Sequence, residues 1–140
     1  MLNLIRALVA ALLCVAVIGP APVKAQDVQI QGQHCIQLNE MRTAASTSVE
    51  QTKGEDPSKE VRLVVLEGDR AQAVAEASAK EARATNPEVK ARAISAIVAV
   101  VYKEEVRYTV QFADTGCFSN VDDMDRHTWD RWLKAAGVDV

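Results

Sequence analysis

The chain has 140 residues, a formal net charge of −3 and charges of both signs interspersed along its length. This excludes the basic face that a nucleic-acid partner requires, and the length suits one domain rather than two. Only 4% of the residues are aromatic, so any core is small and gains from covalent support.

The first 25 residues read as a signal peptide. Met1–Arg6 is a short basic start, Ala7–Ile18 is an apolar run, Gly19-Pro20 breaks it, and Val23-Lys24-Ala25 offers a cleavage site. The run is too short to cross a bilayer core of about 30 Å, so no stable membrane anchor is expected after cleavage. Leu13 precedes Cys14 where a lipid-anchored cysteine needs a small residue. The expectation is an exported protein, periplasmic or secreted, with residues 26–140 forming a single domain.

Gln26–Gln33 is polar with Val28 and Ile30 alternating, an edge strand or a leader into the domain. From Cys35 to about Thr52, Leu38, Met41, Ala45 and Val49 recur at helical spacing. Thr43, Ser46, Thr47 and Ser48 oppose that helix by propensity. Lys53–Lys59 is a loop by composition, and Val61–Leu66 is a β-branched strand that ends at Gly68-Asp69. Asp69 is expected as the N-cap of a helix over Arg70–Ala84, with Gln72 completing a capping box. The inner face of that helix is built from small side chains: Ala71, Val74, Ala77 or Ser78, and Ala82.

Asn86-Pro87 stops the helix. Val89–Tyr102 admits helix or strand, and the β-branched run from Ile94 favours a strand from about Ala93. Lys103-Glu104-Glu105 forms the turn, and Val106, Tyr108, Val110 and Phe112 then alternate with polar residues, giving a hairpin with one wet face. Asp122–Ala136 closes the chain as a helix, its acidic start suited to the dipole. The fold class expected is α+β, a small antiparallel sheet with helices packed on one face, stapled by one disulfide.

Cys35 and Cys117 remain after cleavage and are expected to pair, because an exported domain with two cysteines and no C-x-x-C reads as a structural bridge. No metal site is expected. His34 has no ligand partner at a suitable spacing, and the acidic stretch from Asp123 lacks the glycine and glutamate of a calcium loop. No catalytic set is expected either: His127 has no activated serine to serve, and Glu104 and Glu105 point apart. No cofactor motif is present. Trp129 and Trp132 form one helical stripe, read as a core plug or, on a sharper reading, as binding anchors.

The first functional expectation is a non-enzymatic domain that binds another envelope or extracellular protein as an inhibitor, accessory or chaperone-like factor. The alternative is a small-molecule or lipid carrier with its pocket between the Ala-rich helix and the sheet.

Overall fold

The β-branched run beginning at Ile94 becomes the centre of the sheet. The computed structural model describes residues 33–140; the expected leader and residues 26–32 lie outside the described residues. In chain order the elements are β1 (Gln33–His34), α1 (Leu38–Glu55), β2 (Val61–Glu67), α2 (Asp69–Ala82), β3 (Ile94–Tyr102), β4 (Glu105–Phe112), β5 (Phe118–Asn120), β6 (Met124–Asp125) and α3 (Arg126–Ala136). The sheet runs β1-β5-β4-β3-β2, and β6 also pairs with β4. β2 lies antiparallel to β3 from Val61↔Tyr102 to Glu67↔Ala96, and β3 lies antiparallel to β4 from Ile94↔Phe112 to Val101↔Val106.

Nearly all of β3 is buried, which resolves the two readings of Val89–Tyr102 in favour of strand. Its side chains alternate between two faces. Ile97, Ala99 and Val101 join Val64, Leu66, Val74, Trp129 and Leu133 beneath α2 and α3. Ala96 and Val98 pack with Phe118, Leu38, Met41 and Ala45 on the opposite face, and Val100 and Tyr102 pack there with Val49. The α+β class, the antiparallel sheet and the disulfide are as expected. Packing on one face holds for α2 and α3, whereas α1 covers the other. The physical reason is that β3 is apolar on both sides, so it needs cover on both.

α1 forms despite its Ser/Thr content. Thr43, Thr47 and Thr52 donate their hydroxyls to the carbonyls of Asn39, Thr43 and Ser48 at 2.9–3.0 Å, so they stay within the helix. The apolar stripe Leu38-Met41-Ala45-Val49 supplies the packing. The helix runs through Glu55 and takes the first residues of the expected Lys53–Lys59 loop.

α2 is capped one residue earlier than expected. Gly68, at φ 58°, makes the turn out of β2, so Asp69 is already helical. Gln72 is then free to reach across, and its Oε1 accepts the Ile94 N–H at 2.8 Å. α3 starts later than Asp122 because Met124 and Asp125 pair with β4 first. Asp125 is its N-cap, accepting the Thr128 N–H at 2.8 Å, and Gly137 (φ 71°) closes its end.

Cys35 and Cys117 are bonded, with Cα atoms 4.1 Å apart across 82 positions of sequence. The bond ties the segment before α1 to the start of β5. Closing a loop of that length contributes about 4.5 kcal/mol in the chain-entropy account. Among the described residues, no helix is long and apolar enough to cross a membrane.

Candidate ligand-binding cavity

β4 divides its side chains cleanly. Arg107, Thr109 and Gln111 face the α1 side, and Val106, Tyr108, Val110 and Phe112 face the side of α2 and α3. α2 lies over β2 and β3, and α3 reaches β4 only in part. Tyr108, Val110 and Phe112 are therefore left half-buried. The small residues of α2 leave space above them. The result is a cavity of about 270 Å³ between α2, the sheet and α3. Val74, Ala75, Ala79 and Ala82 wall it from α2, Ile97, Val110 and Phe112 from the sheet, and Trp129 and Trp132 from α3. The connector after α2 closes one side through Val89, Lys90, Ala91 and Arg92.

Few polar groups line this space. Trp129 has no exposed surface, and its ring stands 6.3 Å from that of Tyr108 at 46°. Its indole Nε1 is the buried side-chain polar atom without a hydrogen-bond partner among the described residues. A buried indole N–H ordinarily finds an acceptor, so this one is an exception within the core. Burial, and secondarily the charge of Asp122, pushes the Tyr108 phenol up, so it holds its proton at neutral pH. The Arg92 guanidinium lies 3.8 Å from the Phe112 ring centroid and pairs with Asp114 at 3.3 Å.

No protein-family model, curated protein or solved structure matches the chain. The cavity must be read from its own chemistry.

The residues singled out in the sequence fall into two groups. Cys35 and Cys117 form the bridge, away from the cavity lining. Trp129 and Trp132 both line the cavity. Trp129 is fully buried, while the half-buried Trp132 donates its indole N–H to Glu81 at 3.3 Å. Arg131 donates to the same carboxylate at 2.7 and 2.8 Å, and these bonds hold the Glu81 carboxyl below its ordinary range. Among the described residues no cluster of histidine, cysteine and carboxylate side chains could hold a metal ion.

The sequence pattern alone does not mark Tyr108, Phe112, Lys90 and Arg92 as site residues. The β4 alternation carried a signal for the first two, since it set them on one face. Nothing in the pattern showed that α2 would stop short of that face.

Proposed function

We propose that the protein is an exported, non-enzymatic binding domain that holds a small apolar ligand between α2 and the sheet. The observation that carries this reading is the strip Tyr108-Val110-Phe112, an apolar strand face that no helix fully covers. Where the same strand lies beyond α1, it carries polar residues instead. The cavity volume sits just under the range of about 300–1,000 Å³ typical of drug-sized ligand pockets, which favours a small occupant. Export is supported by the basic–apolar–small pattern of residues 1–25 and by a disulfide, a bond that persists in oxidising compartments.

A protein partner anchored on tryptophan is less favoured, because Trp129 offers no surface and the Trp132 N–H is already committed. The chain's two tryptophans both stand at the cavity, so intrinsic fluorescence reports occupancy directly. Titration with medium-chain probes such as decanol and decanoate should shift the emission and raise the melting temperature. Saturation at 100 times Kd adds about 2.7 kcal/mol to the unfolding free energy. Absence of any shift with any apolar probe overturns the reading. For export, the intact mass of the protein recovered from outside the cytoplasm should match a chain beginning at Gln26.

A further inference from the structure

This inference rests on the apolar-ligand reading and names the chemistry of the ligand. We propose that the cavity takes an anionic amphiphile, a medium-chain carboxylate. Its tail lies against Ile97, Val110 and Phe112, and its head is held by Lys90 and Arg92.

The sign of the charge comes from the lining. Lys90 and Arg92 are its charged residues, and no aspartate or glutamate contributes to it, although acids outnumber bases in the chain as a whole. The Ser78 and Tyr108 hydroxyls at the wall can both donate. A ligand bearing oxygen acceptors matches this set, and a cation does not. The nearby carboxylates stand outside the lining. Glu81 is held by Arg131 and Trp132, Asp122 is sensed by Tyr108, and Asp114 pairs with Arg92.

Arg92 joins the two halves of the site. Its guanidinium rests on the Phe112 ring, at the junction of apolar wall and charged rim. Its pairing with Asp114 is exposed on both sides, with both contacts at 3.3 Å. Such surface pairs are weak and exchange readily. A ligand carboxylate therefore competes with Asp114 for Arg92, and the guanidinium's planar fork suits two oxygens.

Three probes of equal chain length separate the possibilities: decanoate, decanol and decyltrimethylammonium. Each is titrated below its micellar concentration at neutral pH, with tryptophan emission and thermal melts as readouts. Decanoate should bind about tenfold more tightly than decanol, and the ammonium probe should bind most weakly. Asp114→Asn frees Arg92 and should tighten decanoate several-fold while leaving decanol unchanged. The double variant Lys90→Gln, Arg92→Gln should bring decanoate down to the level of decanol. Equal binding of decanoate and decanol by the unaltered protein overturns this inference and leaves the apolar-ligand reading standing. Preference for the ammonium probe overturns the sign of the charge. Binding of none of the three overturns both.

Discussion

On the α1 side, β4 presents Arg107, Thr109 and Gln111 beyond the reach of the helix; on the α2 and α3 side the same strand presents Tyr108, Val110 and Phe112. The first arrangement is the ordinary one, since polar residues fill what packing leaves open. Thr109 is buried there with its hydroxyl donated to the Ser119 carbonyl at 2.9 Å. The second arrangement leaves apolar surface only half-buried. The two gaps differ in chemistry, and that difference is what supports the proposed ligand site. The groove on the α1 side has a similar volume, about 360 Å³, but Arg107, Thr109, Asn120 and Asp123 share its wall. Volume alone therefore does not mark the site.

The largest expected effect concerns what both faces share. Reduction of Cys35–Cys117, or Cys117→Ala, should remove about 4.5 kcal/mol and lower the melting temperature by well over ten degrees. Thiol titration of denatured, unreduced protein beside melts with and without reductant checks this. Two free thiols, or an unchanged melt, would break the assignment.

Truncation then compares the two cores. Trp129→Ala on the inner face of α3 and Phe118→Ala beneath α1 each remove a side chain with no exposed surface, and each should cost about 3–5 kcal/mol in urea unfolding. A loss below about 1 kcal/mol at either position would show that its face is not packed as described.

Over-filling sharpens the contrast most directly. Ala96, 1% exposed, is packed with Val98 and Phe118 on the α1 face, so Ala96→Leu should cost about 1–3 kcal/mol. Ala75 faces the cavity, so Ala75→Phe should change stability by less than about 1 kcal/mol while abolishing probe binding. Equal penalties at the two positions would mean that the cavity is not open in solution.

The smallest effect is electrostatic. Its bonds from Arg131, and secondarily from Trp132, lower the Glu81 carboxyl below its ordinary 4.5. A group depressed on folding stabilises the protein above its unfolded value, and that contribution is lost as pH falls through the folded value. Glu81→Gln should therefore leave a melt slightly lower at neutral pH and flatten the decline expected below about pH 4.5 in the unaltered protein. An identical acid profile in both proteins would remove Glu81 from the link between α2 and α3.

Much of the scaffold was legible because its signals are local. The β-branched runs at Val61 and Ile94, the alternation over β4, the helix formers of α2 and the paired cysteines each fixed an element or a bond. The boundaries that moved did so for tertiary reasons: Gly68 turned the chain before Asp69 could cap it, and Met124-Asp125 joined the sheet before α3 began. β1, β5 and β6 are two or three residues long, too short for any periodicity to show. Phe118, fully buried, was invisible as a core residue because a single aromatic after a cysteine has no pattern around it. The space between the Ala-rich helix and the sheet was anticipated from the small side chains of α2. Its charged rim was not, since Lys90 and Arg92 sit in a connector whose path depends on Gln72 and Arg83.

The disulfide has a topological side. It closes a covalent ring containing α1, β2, α2, β3 and β4, and α3 hangs outside that ring. α3 is fastened by Trp129 and Leu133 in the core, by Arg131 to Glu81, by Arg126 to the Tyr102 carbonyl at 3.1 Å, and by the Asp139 carbonyl, which accepts from Arg70 at 2.8 Å. The loop entropy removed by the bond belongs to the ring alone, so detachment of α3 costs the same with the bond intact or cut. α3 is thus held to the ring by packing, hydrogen bonds and ion pairing alone. Amide exchange along Arg126–Ala136 would therefore change less on reduction than exchange within the ring.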